Sequence, residues 1–176
     1  LAVADSDSVE LQVYFHPTVP STDYSALMIL SSNYPQTDTV ALSGRGMAEP
    51  GRYMFGPVDG VWEGSASSPD YIVLDSIYIA PETRLKIMPG ARVLFEPDAF
   101  LQADGQLRIA GLPTDSVYLL PRDPSGAPGT RWGGLKLSLQ DATQISYCVM
   151  RGSSYGIRLS ESSPLVEFCT IADNGD

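Results

Sequence analysis

The stretch WGGLKL at residues 132–137 returns 22 positions later as SYGIRL at residues 154–159. In both hexapeptides a glycine precedes an apolar residue, a cation and a leucine. A second pair, ISYCVM at 145–150 and VEFCTI at 166–171, recurs at an offset of 21. Self-similarity at a short fixed period is typical of repeat proteins, in which each unit packs only against its neighbours. These residues therefore predict a solenoid.

The repeat extends towards the N-terminus through short, strand-like units. LKI at 85–87 matches LRI at 107–109 at an offset of 22, and IYIA at 77–80 matches FLQA at 100–103 at an offset of 23. Each unit holds two or three such segments, joined at Gly, Pro, Asp or Asn, which favour turns. This pattern predicts a parallel β-helix whose coils stack at the strand spacing of about 4.8 Å. An antiparallel sandwich is the alternative, but it does not explain residue matches at offsets of 21–23.

The same alignments predict an apolar ladder inside the β-helix, because a coil buries its inward face only by stacking on the next coil. The expected ladder pairs are Leu85 with Leu107, Leu135 with Ile157, and Tyr147 with Phe168.

The rest of the chain is also predicted to form strands. Its 16 Gly and 14 Pro disfavour helix interiors. VELQVYF at residues 9–15 alternates between polar and apolar residues, and residues 24–30 and 39–42 predict two further strands. The fold class is therefore predicted to be all-β.

Composition excludes several classes of partner. The chain has 176 residues and a net charge of −10, from 11 Lys and Arg against 21 Asp and Glu. This balance argues against a general nucleic-acid-binding protein and against docking on anionic lipid. The longest purely apolar run, residues 26–30, is far too short to insert into a membrane as a helix.

Residues 71–176 resemble the right-handed parallel β-helix modules of large secreted bacterial surface proteins. The resemblance rests on YIV at 71–73, TRLKIMPGARV at 83–93, LQADGQL at 101–107 and WGGLKL at 132–137. It implies a β-helix with about 22 residues per coil over residues 71–176, with residues 49–70 as a linker that leads into the first coil.

Residues 9–46 resemble the C-terminal half of an immunoglobulin-like domain of the Hydin and abnormal-spindle type. The matching segments are VELQVYFHPT at 9–18, YSALMI at 24–29, SSN at 31–33 and VALSGRG at 40–46. The resemblance implies a partial immunoglobulin-like β-sandwich over residues 1–48, lacking its N-terminal strands.

Both ends of the chain are therefore expected to be cut within a fold. The alternating strand that contains Val9, Leu11, Val13 and Phe15 is expected to expose an edge that pairs with other segments or copies of the same protein. If such contacts run head to tail without closing, they produce a fibre.

Cys148 and Cys169 occupy equivalent positions in successive coils. Stacked strands bring their Cα atoms within the range that a disulfide bridges. The alternative is a ladder of two reduced cysteines packed as small apolar residues, and the sequence favours it because in-register neighbours present their Cβ atoms side by side.

Trp62 and Trp132 have two interpretations. Exposed, they are candidate ligand-facing aromatics of a sugar-stacking surface. Buried, each packs within a coil, and the two glycines that follow Trp132 favour packing at a coil corner.

No catalytic, cofactor or metal site is predicted. His16 is the single histidine, so a His-rich zinc site is excluded and any Ser-His-Asp triad depends on this one residue. Carboxylates such as Asp70, Asp75, Glu96 and Asp98 lie at turn positions, where Asp favours local hydrogen bonds. Calcium bound in a loop is the weaker alternative, since no calcium-loop motif is present.

Taken together, the sequence predicts a non-catalytic structural or adhesive module of a larger secreted or cell-surface bacterial protein, exported by a signal outside this sequence. The alternative is a β-helix that binds or cleaves carbohydrate, with surface glycans as ligands.

Overall fold

The computed structural model describes residues 23–31, 37–45, 51–64, 70–138 and 143–175. These residues form sixteen strands and no helix, which confirms the all-β prediction. None of them belongs to a helix long and apolar enough to span a membrane. The chain divides into two compact units, residues 1–50 and residues 51–176.

The first unit contains an antiparallel pair of strands. β1 (Asp23–Ser31) pairs with β2 (Thr37–Arg45) in a continuous register from Asp23 opposite Arg45 to Ser31 opposite Thr37. The pair corresponds to the two strands predicted at 24–30 and 39–42, and an antiparallel sheet is compatible with a partial immunoglobulin-like sandwich.

The second unit is a parallel β-helix of about five coils, each with strands on three faces. The first face contains β3 (Arg52–Pro57), β5 (Tyr71–Ile79), β7 (Arg92–Phe95), β10 (Val117–Pro121), β13 (Cys148–Arg151) and β16 (Thr170–Ala172). The second contains the end of β5 with β8 (Phe100–Ala103), β11 (Gly134–Ser138) and β14 (Ile157–Ser160). The third contains β4 (Gly60–Trp62), β6 (Arg84–Ile87), β9 (Gln106–Ala110), β12 (Gln144–Ser146) and β15 (Leu165–Glu167).

The first coil begins earlier than residue 71. β3 pairs with β5, and β4 pairs with β6, both in parallel. The segment predicted as a linker leading into the first coil therefore contributes strands of its own to the ladder.

The observed register confirms two of the predicted ladder pairs. Leu85 is opposite Leu107, and Leu135 is opposite Ile157, each 22 residues apart. The predicted alignment of residues 77–80 with 100–103 is wrong by one position, because Ile77 pairs with Leu101. Phe100 instead presents its ring to Lys136, whose Nζ lies 3.2 Å from the ring centroid.

One continuous apolar cluster runs through the coils from Val58 to Met150. Trp132 and Phe95 stack inside it with ring centroids 4.1 Å apart. The indole Nε1 of Trp132 donates a hydrogen bond of 2.8 Å to the carbonyl of Arg151, so this buried polar group is satisfied. The column is thus closed laterally by sheets and filled by stacked side chains.

The third predicted ladder pair, Tyr147 with Phe168, stacks outside the coil and not within it. The two rings are parallel within 10° and 4.8 Å apart, yet Phe168 is 72% exposed. Both residues have a positive φ, 49° and 54°. This backbone conformation lies at the corner between the third and first faces, where it interrupts the strand alternation and turns both side chains outward.

The second glycine of the WGG motif, Gly134, is required by the backbone and by its neighbours. Gly134 has φ +105°, which side-chain-bearing residues rarely adopt. A Cβ there would lie 2.6 Å from the carbonyl oxygen of Gly156 in the next coil. The motif therefore allows two coils to approach closely at this corner.

The corner between β10 and β11, residues 122–133, holds an insertion of mostly exposed residues and ends in the first two residues of the WGG motif. Across this insertion the ladder partners Leu101 and Leu135 are 34 residues apart, against 22 for Leu135 and Ile157. The apolar column is continuous on both sides of the insertion.

Candidate functional site

The aromatic residues proposed as ligand-facing are buried. Trp62 is 4% exposed and Trp132 is 0% exposed. Trp62 stacks on Tyr71 with centroids 4.5 Å apart, and Trp132 stacks on Phe95. The ligand-facing interpretation is therefore wrong for both, because each indole fills the interior of a coil.

The two cysteines are free thiols. Cys148 begins β13 and Cys169 immediately precedes β16, each one position before the pair of Val149 with Thr170. Cys148 is buried, and burial raises the pKa of its thiol above the ordinary value, with Cys169 adding to the rise. The thiol of Cys169 is half-buried and donates to the carbonyl of Glu167 at 3.1 Å. The two cysteines are therefore reduced, as in the predicted alternative to a disulfide.

The carboxylates at turn positions serve local contacts. Asp70 pairs with Arg92 at 3.4 Å, and Glu96 pairs with Arg122. Asp75 lies not in a turn but inside β5, between the part that pairs with β7 and the part that pairs with β8. Its Oδ1 atom accepts a hydrogen bond from the backbone N–H of Ser76. Among the described residues, no three His, Cys, Asp or Glu side chains form a group that could hold a metal ion.

His16 and the predicted edge residues Val9, Leu11, Val13 and Phe15 lie outside the described residues. The edge prediction therefore stays a prediction.

An exposed apolar edge is present on the last three strands of the described β-helix. Leu159, Val166 and Ile171 follow Leu137, Ile145 and Met150 in register. Their exposed fractions are 54%, 39% and 45%, although the residues beneath them are at most 2% exposed. We call these three side chains the open coil edge. β14, β15 and β16, which contain them, are the terminal strands in the order of the described sheets.

A polar network lies beside the open coil edge. The side-chain Oδ1 of Asn174 accepts hydrogen bonds from the N–H and the hydroxyl of Ser153, at 2.9 and 2.7 Å. Ser153 is fully buried, and its Oγ accepts a third bond from the N–H of Gly156. These bonds connect the last turn of the described chain to the coil beneath it.

A cluster of cations occupies the outer surface of the third face. Arg84 and Lys86 lie on β6, and Arg108 lies opposite Lys86 on β9. They alternate with the buried Leu85, so their side chains point away from the core. We call these three residues the basic cluster.

The basic cluster borders an open depression of about 260 Å³ that Gln106 also lines. None of its three cations forms an ion pair with a described residue. By contrast, Arg92, Arg122 and Arg151 each pair with a carboxylate of the described chain. Elsewhere, Lys136 and Arg158 lie over the rings of Phe100 and Tyr155.

The sequence contained the signal for the basic cluster. The alignment of LKI with LRI at an offset of 22 places Lys86 beside Arg108. The predicted ladder pairs lie only at apolar and aromatic positions of this repeat, so the charged column on the outer surface was not predicted.

Comparison with known proteins adds no further assignment. No protein-family model, curated protein sequence or solved structure matches the chain.

Proposed function

We propose that this chain is a non-catalytic structural module that assembles end to end through the open coil edge. The observation behind the proposal is that Leu159, Val166 and Ile171 keep the register of the buried ladder while remaining exposed. A further coil stacked on them would bury apolar area at a gain of roughly 25 cal/mol per Å².

For the 176-residue chain on its own, the occupant we propose is the first coil of a second copy. Within the described sheets, β3 and β4 have a strand partner on one side only, as do the three strands of the open coil edge. All of them are parallel members of one repeating ladder, so the two ends are complementary in strand direction. A head-to-tail contact between identical copies yields a filament when copies stack along one axis, since such stacking does not close into a ring.

Sedimentation equilibrium of the full chain over a range of concentrations tests the assembly. The weight-average mass should rise with concentration for the wild type and stay at the monomer value for the double variant Leu159→Lys, Ile171→Lys. Leu112→Lys is the matched control, because Leu112 is 49% exposed but lies at a turn away from the ladder end. A monomeric wild type, or equal loss of assembly in the control, would contradict the proposal.

We propose that this structural module belongs to a larger secreted or cell-surface bacterial protein. An acidic chain with 16 Gly and 14 Pro suits an exported scaffold, and a stack of coils suits projection or adhesion. Antibodies against this chain should label intact cells that produce the full-length protein. Labelling only after lysis would contradict this proposal.

The absence of catalysis is a separate part of the proposal. We expect incubation of the chain with pectin, alginate and common glycans to release no products. Reproducible cleavage that disappears on replacing one aspartate, for example Asp75→Asn, would establish a polysaccharide-cleaving β-helix instead.

A further inference from the structure

We propose that the basic cluster of Arg84, Lys86 and Arg108 binds a linear anionic polysaccharide, one whose sugars carry carboxylate or sulfate groups. This site goes beyond the structural role proposed above. It shares no residue with the open coil edge, so either proposal can fail without the other.

The spacing of the three cations suits a repeating anion. Lys86 and Arg108 are opposite each other on neighbouring strands, at a backbone spacing of about 4.8 Å. Arg84 is two residues before Lys86, about 6.6 Å along the strand. An extended polyanion lying on this face can therefore contact two or three cations at once, and each additional contact forms at a high effective concentration.

The electrostatics indicate that this surface has an external partner. The chain carries 10 more negative than positive charges, yet three cations gather on one face without a carboxylate partner among the described residues. Within the described chain, no carboxylate lies within ion-pair distance of these three cations. A bound anion offsets the repulsion among the cations and gains charge-assisted hydrogen bonds from both guanidinium groups.

The depression between the cations favours a sugar acid over an acidic peptide. None of its lining residues is aromatic, and the side chain of Leu85 is only 1% exposed. The amide of Gln106 both donates and accepts hydrogen bonds, as a neighbouring sugar hydroxyl requires. β6 and β9 are paired on both sides, so a peptide has no free edge here for main-chain pairing.

The decisive comparison uses two triple variants of the full chain with equal charge change. Arg84→Gln, Lys86→Gln, Arg108→Gln removes the cluster, whereas Lys136→Gln, Arg151→Gln, Arg158→Gln removes three cations from other faces. Binding of polygalacturonate, dextran sulfate, uncharged dextran and poly-L-glutamate is measured by calorimetry at low and high salt. Thermal unfolding by circular dichroism verifies that both variants fold.

The expected result is binding of at least one of the two anionic polysaccharides and none of uncharged dextran. The cluster variant should weaken that binding by about tenfold or more, and the control variant much less. Added salt should weaken wild-type binding, since exposed charges are screened. Whichever polymer binds more tightly identifies the anionic group as carboxylate or sulfate.

Three results would overturn the proposal. One is failure of the wild type to bind either anionic polysaccharide. The second is an equal loss of affinity in the two triple variants, which would reduce the effect to net charge. Binding of poly-L-glutamate as tight as that of the polysaccharides, with the same loss in the cluster variant, would assign the site to acidic peptides. If the cluster triple variant does not fold, Lys86→Gln alone should still weaken binding relative to Lys136→Gln, and equal affinities would overturn the proposal.

Discussion

Leu137 and Leu159 are the same residue type at the same position of successive coils, yet they are 1% and 54% exposed. Met150 and Ile171 differ in the same way, at 1% and 45%. The strand pairing and the inward direction are common to each pair, so the difference comes from the neighbouring coil. In this fold, the burial of an inward side chain depends on the next coil that covers it as much as on its residue type. Positions in the covered coils and positions at the open coil edge should therefore respond differently to one and the same substitution.

The largest difference is expected for leucine truncation. Leu137→Ala should lower the free energy of unfolding by about 2–5 kcal/mol, because it leaves a cavity in a filled column. Leu159→Ala should cost less than about 1 kcal/mol, since its side chain is already half in solvent. Urea denaturation of both variants measures the two values at a concentration where the chain is monomeric. Equal costs would show that Leu159 is covered in solution.

Glycine substitution sharpens the comparison at the backbone level. Gly134→Ala should cost roughly 3 kcal/mol or more, from the strain of its positive φ together with a contact of 2.6 Å to the carbonyl oxygen of Gly156. Gly156→Ala, at φ +67°, should cost only about 1–2 kcal/mol, because the nearest atom to its Cβ would be 3.5 Å away. Thermal unfolding of the two variants ranks them. A reversed order would mean that the coils do not approach as closely as the structure indicates.

The polar network beside the open coil edge should stabilise the last turn where apolar burial does not. Asn174→Ala removes the acceptor of two hydrogen bonds from the buried Ser153 and should cost about 1–3 kcal/mol. Asn174→Asp retains a side-chain oxygen and should cost less. Hydrogen exchange at the amide of Ser153 reports the loss directly. Unchanged protection in the alanine variant would show that Asn174 is not the acceptor.

The smallest expected effect is a pH dependence of stability that comes from the buried Cys148. Burial raises the pKa of the Cys148 thiol in the folded state above its ordinary value of 9.0. Above pH 9 the unfolded chain therefore loses a proton that the folded chain keeps, and stability falls as the pH rises. The slope from this group is at most about 1.4 kcal/mol per pH unit, and its contribution is fully present below pH 9.

Unfolding of the wild type and of Cys148→Ala between neutral pH and the alkaline range isolates that slope. The wild type should lose more stability than the variant over this interval. Identical pH dependences would show that the Cys148 thiol reaches solvent in the folded protein.

The sequence repeats were sufficient to predict the fold class and much of the register. Leu85 with Leu107 and Leu135 with Ile157 follow from residue type at a constant offset, because the inward face of a coil tolerates little change of volume. The alignment failed at Phe100, since an aromatic residue at the edge of a strand matched the apolar pattern although Leu101 is the inward residue. It failed again for Tyr147 and Phe168, because a positive φ at a corner reverses which side a residue faces, and no residue type there indicates it.

The candidate site was less accessible from the sequence. The burial of Trp62 and Trp132 depends on Tyr71 and Phe95, each in a neighbouring coil, so residue type alone left two interpretations open. The basic cluster follows from the repeat once outward positions are aligned as well as inward ones. The sequence predicted that the fold is cut at this end, but which side chains of the last coil are exposed required the structure.

The insertion at residues 122–133 has a consequence for how the chain folds. It lengthens the sequence separation between the ladder partners on β8 and β11 to 34 residues, from the 22 that join β11 to β14. Loop-closure entropy grows only with the logarithm of length, so the longer loop adds roughly 0.4 kcal/mol to the cost of docking that coil. Coil-by-coil propagation of folding is therefore barely slowed there. This corner can host a longer polypeptide, including a whole inserted domain, with little kinetic or thermodynamic penalty.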